Sequence, residues 1–575
     1  MTALVARPLP PRRLTGQRHA LIATAHVRLM MLMLLLAAGF ALVIGRIAML
    51  GFLSSPANAQ GTGFGALQRG DILDRNGEPL ARTIEAWTIG VHPKGLLGDR
   101  HEIAQRLAEA MPSHDAAYYY SKITLPVNFT YLERHASPAV VNQIHAIGEP
   151  AIVFAQEPER LYPQTTLAAH VLGYIGPTGD DPRIMGRAGI EREFDQRLTA
   201  PSTRTAPITL SIDSRVQAAM ESELGRAMVA FQAKDATGVV LDVNTGEVIA
   251  MVSLPVYNPN KVAGATSDAL RNNVTQSVYE LGSTFKPITM ATAIQSGVVT
   301  SMSRRFDATE PLHVGGFTIH DDHPQKRFLD IPETLIHSSN IATARIADEV
   351  GKERLSAMFT AMGFATRPNI ELHERAGPIW PTYWGRTTVM TAGYGHGIAV
   401  TPLHLANAYA TLVNGGIWRP TTLLKVAPGQ APAGRRVLSE ATSARMRQLL
   451  RLVVTQGTGR KGEAPGYRVG GKTGTAEIAG AGGYSKRANV STFAAAFPMD
   501  APRYVVVAML DSPIGNAESH GLTTAAWTAA PVVSRVISRT GSMLGVVPDN
   551  NRDIDVSELM PLLWHAPGDD SADPE

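Results

Sequence analysis

A long apolar run near the N-terminus is the feature that most constrains this chain. Every residue from Leu29 to Ile44 is apolar or small, and after Gly45 and Arg46 the apolar character resumes as far as Leu53. Taken as one helix over residues 27–52, the run is long enough to cross a bilayer with some tilt. We therefore predict that a single helix anchors the chain in a membrane.

The charges before this run set its expected orientation. The preceding segment contains no acidic residue but several arginines, namely Arg7, Arg12, Arg13, Arg18 and Arg28. Because positively charged flanks stay in the cytoplasm, residues 1–26 are predicted to form a cytoplasmic tail, with everything after the anchor exported. A cleaved signal peptide is the alternative, since Ala57-Asn58-Ala59 resembles a signal-peptidase site, but the apolar run is longer than a usual signal core.

Breaks in composition divide the exported part into two domains. Residues 53–66 read as a flexible linker rich in glycine, serine and alanine. A second break at residues 199–207 separates a mixed α/β domain over 67–205 from a larger domain over 206–565. The acidic, proline-bearing residues 566–575 are predicted to be a disordered tail.

The larger domain contains regular helix and strand patterns. β-rich runs at 237–242 and 248–253 flank Asn244-Thr245-Gly246, which predicts a hairpin. The other expected elements are helices over 214–234 (capped by Ser214), 283–296, 340–350 and 524–538, and strands over 467–472, 491–497 and 504–510. Strands at both ends with helices between them predict an α+β fold with an antiparallel sheet flanked by helices.

Composition also narrows the classes of site. The absence of cysteine excludes disulfides, thiolate zinc sites and a cysteine nucleophile. A formal net charge of only +3 gives no indication of a nucleic-acid-binding surface. The segment His320-Asp321-Asp322-His323 is interpreted as a solvated loop, because ligands so close in sequence seldom close a metal site alone.

Three short motifs carry the chemistry: Ser283-Thr284-Phe285-Lys286, Ser338-Ser339-Asn340 and Lys472-Thr473-Gly474-Thr475. Each is short enough to occur by chance in a chain of this length, so each alone would indicate no more than a helix cap or a turn. Their order and their contexts together predict one catalytic site.

Ser283 is the candidate nucleophile of that site. It follows Gly282 and opens an apolar helical stretch, where unpaired backbone N–H groups favour developing negative charge. Lys286, three residues on, lies on the same helix face. A lysine desolvated in a cleft loses basicity and can act as a general base at neutral pH. Pro287 is tolerated in a first turn and is consistent with a helix start here.

Ser338 and Asn340 precede a predicted helix, in a loop that can face a cleft. A hydroxyl there could relay a proton between the lysine and a leaving group, and an amide could hold a substrate carbonyl. Simple capping of the helix, with Asn340 as the N-cap, is the plainer alternative.

The third motif is predicted to end a strand. A lysine and two hydroxyls, from Lys472, Thr473 and Thr475, suit a substrate carboxylate, and Gly474 lets a ligand approach the backbone closely. A backbone N–H near Thr475, together with that of Ser283, could form an oxyanion hole.

The three motifs resemble the S-x-x-K, S-D-N and K-T-G signature of β-lactamases and penicillin-binding proteins, with serine in place of the central aspartate. The wider resemblance covers nearly the whole chain and is to the class B, monofunctional penicillin-binding proteins. It is carried by the segments that begin at Arg69 (RGDILDRNG), Arg160 (RLYP), Gly189 (GIE), Tyr279 (YELGSTFKP) and Val400 (VTPLHLA). The cell-division, FtsI-like type fits best, and the elongation type is the near alternative.

This resemblance implies an activity, a location and partners. Proteins of this type are serine D,D-transpeptidases of the bacterial inner membrane, with a periplasmic catalytic domain above a pedestal of the dimerisation type. The implied substrate is a peptidoglycan stem peptide ending in D-Ala-D-Ala, and β-lactam antibiotics would acylate the same serine. No cofactor or metal is implied. The implied partners are an FtsW-like glycan polymerase and other divisome proteins, and nucleic acid is not among them.

Two other functions compete with transpeptidation. A β-lactamase would need a base to activate a deacylating water, and no convincing extra glutamate motif lies between Ser283 and Lys472. A penicillin sensor would need an output domain in the cytoplasm, where only residues 1–26 are expected.

Two groups of residues outside the motifs are interpreted as structural. One is a hydrogen-bond network beneath the catalytic domain, formed by Arg69, Asp74, Arg75, Arg160, Tyr162 and Glu191. The other is an aromatic group, Trp380, Tyr383 and Trp384, for which packing is favoured over lining a substrate groove.

Overall fold

The computed structural model describes residues 15–53, 68–178, 181–480 and 483–564. The chain divides into two compact units, Met1–Gly65 and Ala66–Glu575. Apart from Leu53, the predicted linker at 53–66 lies outside the described residues, as does the predicted tail at 566–575. Both stay predictions.

The first unit contains the helix α1 (Thr15–Leu53). Its segment His26–Ile44 has a mean hydropathy of 2.5 and is the one stretch of the described residues that is long and apolar enough to cross a membrane. Large apolar side chains along it, such as Leu35 and Leu42, are exposed. A helix that is apolar all round suits a lipid environment, which agrees with the predicted anchor.

The first part of the second unit is a small mixed α/β region built around one long strand. That strand, β2, pairs antiparallel with β1, β3 and β4, and β1 also pairs in parallel with β7. The strands are β1 (Ile72–Leu73), β2 (Pro79–Val91), β3 (Thr130–Ala136), β4 (Ile152–Leu161), β5 (Ile175–Thr178), β6 (Asp181–Gly186) and β7 (Ile208–Thr209). The helices are α2 (Arg100–Ala110), α3 (Ala116–Ile123), α4 (Pro138–His145), α5 (Ala169–Leu172), α6 (Gly189–Glu193) and α7 (Asp195–Thr199).

A buried ion cluster holds this region together, as the sequence predicted. Glu191 is fully buried; its carboxylate accepts from Arg69 Nε at 2.8 Å, from Arg160 Nε at 2.7 Å and from the Tyr162 hydroxyl at 3.2 Å. Arg69 also donates to Asp195 at 2.7 Å. Burying ions is costly unless they are paired and hydrogen-bonded, so this cluster specifies how β1, β4 and α6 meet.

Asp74 and Arg75 belong to a different junction from that cluster. Asp74 accepts from the Ser214 hydroxyl at 2.8 Å, and the Arg75 carbonyl accepts from Lys425 Nζ at 2.8 Å. Both contacts tie the N-terminal region to the C-terminal one. The prediction that Ser214 caps the following helix was wrong. The N-cap is Asp213, whose side chain accepts a hydrogen bond from the Arg215 N–H.

The C-terminal region is built on a five-stranded antiparallel sheet in the order β16-β17-β18-β8-β9. This confirms the predicted α+β class and the hairpin at Asn244-Thr245-Gly246. The strands are β8 (Asp235–Asp242), β9 (Val248–Leu254), β10 (Phe306–Asp307), β11 (Leu312–Val314), β12 (Phe317–Ile319), β13 (Phe328–Leu329), β14 (Ile417–Trp418), β15 (Arg435–Arg436), β16 (Gly470–Gly480), β17 (Gly483–Phe497) and β18 (Tyr504–Asp511).

Helices cover both faces of this sheet. They are α8 (Ser214–Ala230), α9 (Ser267–Leu270), α10 (Asn273–Gln276), α11 (Lys286–Gln295), α12 (Ile331–Ile336), α13 (Asn340–Val350), α14 (Lys352–Ala361), α15 (Arg386–Gly393), α16 (Pro402–Val413), α17 (Glu440–Gln456) and α18 (Ala529–Thr540). α8 and α18 pack on one face, and α11 and α16 belong to the larger core on the other. Every residue of β8 and β18 is buried, because both strands are central and covered on two sides.

Several predicted elements have different bounds. The helix predicted over 524–538 starts later, as α18 (Ala529–Thr540), the helix predicted over 214–234 ends at Ala230, and the strand predicted over 491–497 is the end of the longer β17 (Gly483–Phe497). Two further differences concern the motifs. The helix predicted over 283–296 is a 3₁₀ turn, Gly282–Phe285, followed by α11. Pro287 lies in the first turn of α11, where its missing N–H costs nothing, so the α-helix starts at Lys286. The strand predicted over 467–472 begins at Gly470 and runs on to Gly480, because Arg468 has a left-handed backbone (φ 53°) that interrupts an extended run.

The substitution Glu191→Gln tests the ion cluster. It leaves two buried arginines facing a neutral amide, so we expect a loss of about 3–5 kcal/mol in stability, seen as a lower midpoint of thermal unfolding of the full chain in detergent. Glu193→Gln is the matched control. Glu193 pairs with His373 near the surface, and its loss should cost less than about 1 kcal/mol. Equal effects of the two substitutions would contradict a structural role for the cluster.

Candidate active site

Ser283 lies in the 3₁₀ turn Gly282–Phe285, half-buried, directly before α11. The prediction that Ser283 lies in the first turn of an α-helix was wrong. A 3₁₀ helix has three residues per turn and aligns side chains at i and i+3, so Ser283 and Lys286 still lie on the same face, as predicted. Among the hydrogen bonds of the described residues, none joins Ser283 Oγ to Lys286 Nζ.

The turn is packed directly against the edge strand β16. A Cβ added to Gly474 would lie 2.5 Å from the Leu281 carbonyl oxygen and 2.7 Å from Thr284 Cγ2, closer than real contacts. Gly282 has a positive φ of 53°, and a Cβ there would approach the Thr475 carbonyl oxygen to 3.1 Å. Glycine at both positions lets the backbone of the turn Gly282–Phe285, called the nucleophile turn after the candidate nucleophile Ser283, meet the backbone of the strand.

Lys286 is fully buried and points away from solvent toward the second motif. Its Nζ donates to the Ser338 carbonyl oxygen and, at 3.1 Å, to the Ser338 hydroxyl. Burial lowers the pKa of Lys286 to about 7, and the nearby carboxylates of Asp321 and Asp322 oppose that change. Near neutral pH a substantial fraction of this amine is therefore uncharged.

Lys472 reaches the same hydroxyl from the sheet. It is also fully buried, and its Nζ donates to Ser338 Oγ at 2.9 Å and to the Thr473 carbonyl oxygen at 3.0 Å. Burial lowers its pKa well below the ordinary value, and the charge of Lys286 lowers it further. Two ammonium groups beside one hydroxyl repel each other. The two amines, Lys286 and Lys472, therefore resist being protonated at the same time.

Ser338 adopts a left-handed backbone conformation with φ 58°. A residue other than glycine or asparagine is strained there, and the surrounding contacts must hold it in place. The conformation presents both the carbonyl oxygen and the hydroxyl of Ser338 to Lys286.

The rest of the middle motif is fixed by the segment interpreted as a solvated loop. Asp321 is buried and accepts from Ser339 Oγ at 2.7 Å and from the Ile341 N–H at 2.9 Å. Asn340 Nδ2 donates to the His320 carbonyl oxygen at 2.9 Å. Ser339, and not Asn340, is the N-cap of α13. The solvated-loop interpretation was thus wrong for Asp321, which no sequence pattern separated from its exposed neighbours.

The hydroxyl groups of the third motif have protein partners of their own. Thr473 Oγ1 lies 2.8 Å from Thr458 Oγ1, and Thr475 Oγ1 accepts from the Ala525 N–H at 3.2 Å. Thr458 follows α17 and is 15 residues before Thr473, a separation that carries no sequence signal. The motif lies inside β16 and not at its end, so it faces the nucleophile turn along the open edge of the sheet.

The three aromatic residues of the group Trp380, Tyr383 and Trp384 differ in burial. Trp380 and Trp384 pack against the main core, with ring centroids 5.6 Å apart, while Tyr383 is 79% exposed. The packing interpretation holds for the two tryptophans.

Among the described residues, including the loop at 320–323, no three His, Cys, Asp or Glu side chains are arranged to hold a metal ion.

Taken together, the site offers a serine on a short turn, a buried amine of lowered pKa, a hydroxyl shared by two lysines, and an edge strand bearing the second buried amine and two hydroxyls. Such a set suits acyl transfer through a covalent serine intermediate, in which the amine is the base and the shared hydroxyl conducts protons.

Comparison with known proteins identifies the family of this arrangement. The family model of the penicillin-binding protein transpeptidase domain matches residues 236–534, and that of the penicillin-binding protein dimerisation domain matches residues 66–205. A crystal structure of penicillin-binding protein 3 from Mycobacterium tuberculosis, complexed with aztreonam, has a TM-score of 0.65 and 26% sequence identity, covering 84% of this chain and 98% of that chain.

Curated relatives agree with these matches. The chain is 42% identical over 488 residues to the probable peptidoglycan D,D-transpeptidase FtsI of Caulobacter vibrioides, covering 83% of this chain and 82% of the relative. It is 30% identical over 519 residues to the peptidoglycan D,D-transpeptidase FtsI of Escherichia coli, covering 84% of each. The chain therefore belongs to the class B penicillin-binding proteins of the FtsI type.

Proposed function

We propose that this protein is a peptidoglycan D,D-transpeptidase of septal wall synthesis that works through an acyl-enzyme on Ser283. The observation that carries the proposal is the convergence of two buried lysines, Lys286 and Lys472, on the Ser338 hydroxyl beside the turn that presents Ser283. The names of the FtsI relatives support peptidoglycan as the substrate.

In the acylation step, Ser283 Oγ attacks the carbonyl carbon of the penultimate D-Ala of a stem peptide. Lys286 Nζ accepts the hydroxyl proton, which it can do as a free amine near neutral pH because burial lowers its pKa. The C–N bond to the terminal D-Ala then breaks, and a new ester joins the peptide to Ser283. The oxygen that becomes negative in the intermediate is stabilised by backbone N–H groups of the Ser283 turn and of the β16 edge near Thr475.

The leaving D-Ala amine needs a proton, and Ser338 supplies the path. Its hydroxyl accepts hydrogen bonds from both lysines and keeps its own hydrogen free to donate to the leaving nitrogen. The proton taken from Ser283 by Lys286 thereby reaches the leaving group. Asn340, half-buried at the start of α13, binds the amide of the donor peptide.

Lys472, Thr473 and Thr475 bind the terminal carboxylate of the donor. A carboxylate placed beside Lys472 favours its protonated form. Because the two lysines resist being charged together, protonation of Lys472 on substrate binding favours the neutral form of Lys286. Lys286 is then free to act as the base. The missing side chain of Gly474 makes room for the turn that carries Ser283, and not for a ligand as the sequence predicted, so it keeps Ser283 beside this carboxylate site.

The second half-reaction transfers the acyl group to an amine of a neighbouring stem peptide. That amine attacks the ester carbonyl, the C–O bond to Ser283 breaks as the new amide bond forms, and Lys286 passes the proton lost by the amine to Ser283 Oγ. A β-lactam mimics the donor and acylates Ser283, but its ring-opened product stays in the site and blocks both water and the acceptor. No cofactor or metal takes part.

Location and partners complete the proposal. Helix α1 crosses the bacterial inner membrane once, with the arginine-rich N-terminus in the cytoplasm, which places the catalytic domain in the periplasm beside its substrate. The anchor and the dimerisation-type domain bind an FtsW-like glycan polymerase and other divisome proteins.

The substitution Ser283→Ala is expected to abolish covalent labelling by a fluorescent penicillin and to abolish peptide cross-linking by the full chain in detergent. Ser296→Ala, at the far end of α11, is the control and should be labelled as the wild type is. Labelling that persists in Ser283→Ala would overturn the choice of nucleophile. Rapid loss of label from the wild type, within seconds, would indicate a β-lactamase.

The pH dependence of acylation follows from the lowered pKa of Lys286. The second-order rate constant for penicillin acylation should rise by about tenfold per pH unit from pH 5 and level off just above pH 7, because only the neutral amine accepts the proton. Lys286→Arg should lose the activity, since arginine stays charged, whereas the exposed Lys352→Arg should keep the wild-type profile. A flat profile between pH 5 and 8 would contradict Lys286 as the base.

Depletion of the protein in its host tests the septal assignment. Loss of septal cross-linking should give filaments that continue to elongate but do not divide, and a Ser283→Ala copy should fail to restore division although it inserts in the membrane. Rounded cells would instead assign the protein to side-wall elongation.

A further inference from the structure

We propose that Asp321 is a positioning residue for the transpeptidase reaction, fixing the Ser338-Ser339-Asn340 turn in the conformation that presents Ser338 to Lys286. This inference rests on the proposed function, since it concerns the proton path of the same site. None of the three motifs includes Asp321, which lies in the segment that follows β12.

The first observation is the set of contacts between this segment and the turn. Asp321 accepts from Ser339 Oγ through Oδ2 (2.7 Å) and from the Ile341 N–H through Oδ1 (2.9 Å), so both carboxylate oxygens are used. The neighbouring His320 carbonyl accepts from Asn340 Nδ2 at 2.9 Å. The segment therefore holds three successive residues: Ser339 and Asn340 of the turn, and Ile341 directly after it.

The second observation is the strain at Ser338, which adjoins these three residues. Its left-handed backbone, φ 58°, is costly for a serine and persists only where the surroundings enforce it. Ser339 is itself buried, and its hydroxyl both donates to Asp321 and caps the Ala342 N–H at 3.0 Å. With Ser339 and Ile341 fixed by one buried carboxylate, the chain has little freedom to relax at Ser338.

The third observation is the field at Lys286. The charged and titratable groups that face its amine are Asp321 and Asp322 from the segment after β12, Lys472 from β16 and His396 from the loop after α15. The two carboxylates favour the protonated amine, and Lys472 opposes it. Burial and the charge of Lys286 together lower the pKa of His396 to about 4, so His396 is neutral near pH 7. Asp321 thus affects the position of Ser338, through the turn, and the protonation of the Lys286 amine, through its charge.

These two effects are separable by substitution. Asp321→Asn removes the negative charge and places an amide N–H₂ against a donor, either Ser339 Oγ–H or the Ile341 N–H, so one of the two contacts is lost. Asp322→Asn removes a charge from the same region but keeps the hydrogen bonds that hold the turn, because those bonds go to His320 and Asp321 and Asp322 is exposed.

The experiment measures the pH profile of penicillin acylation for the full chain in detergent. In Asp321→Asn we expect the plateau rate constant to fall by about ten- to a hundredfold, the cost of one hydrogen bond to a charged group, and the acidic limb to move to lower pH. In Asp322→Asn the limb should move in the same direction while the plateau stays within about twofold of the wild type.

Coupling to Ser339 provides a second readout that folding defects would not imitate. If Asp321 acts by holding Ser339, then Ser339→Ala and Asp321→Asn together should lower the plateau no more than the more severe single substitution does. Thermal unfolding of each variant, measured in parallel, identifies any variant that fails to fold. If Asp321→Asn or Ser339→Ala does not fold, the other one is compared with Asp322→Asn.

The outcomes separate this inference from the proposed function. A wild-type plateau and an unmoved limb in Asp321→Asn would overturn the positioning role, while the wild type still acylates at Ser283. A wild-type protein that is not acylated at Ser283 would instead overturn the proposed function. Additive losses in the double variant would show that Asp321 does not act through Ser339, and would also overturn the inference.

Discussion

The contact between the buried amine of Lys286 and the backbone and hydroxyl of Ser338 is the interaction on which the site depends. It joins two segments that are 52 residues apart and places a lysine where water cannot stabilise its charge. In the proposed mechanism, burial is what makes Lys286 usable as a base, because an amine of ordinary pKa would be protonated at neutral pH. The second lysine, Lys472, acts on the same hydroxyl from the opposite side and makes the protonation states of the two amines depend on each other.

The fold supplies this arrangement through an edge strand and a short turn. β16 is the last strand of its sheet, so one side of its backbone is free to meet the nucleophile turn. Glycines at 282 and 474 remove the side chains that would hold the two backbones apart. The central strands β8 and β18 are buried on both faces and give the edge a rigid support. An open edge usually invites unwanted pairing; here the turn that carries Ser283 packs against it.

The sequence predicted the fold class, the antiparallel sheet, the central hairpin and the anchor, because periodic apolar runs and local turn residues determine these. It also predicted which eight motif residues to examine, since their order along the chain resembles a known family. It did not predict the 3₁₀ turn at Ser283, because the sequence pattern around Pro287, four residues after Ser283, does not show at which residue the α-helix starts. Asp321 and Thr458 were missed for a different reason: each becomes important only through contacts with Ser339 and Thr473 that are distant in sequence.

The role of Lys286 as the base requires that a substantial fraction of its amine be uncharged near neutral pH. Its most direct test is an NMR titration of the full chain in detergent, labelled at lysine, with the Lys286 signal assigned through Lys286→Arg. The account predicts a titration midpoint near pH 7, well below that of the exposed lysines. A midpoint above about 9, close to the ordinary value for lysine, would mean that the amine is charged in the resting enzyme and would contradict its role as the base.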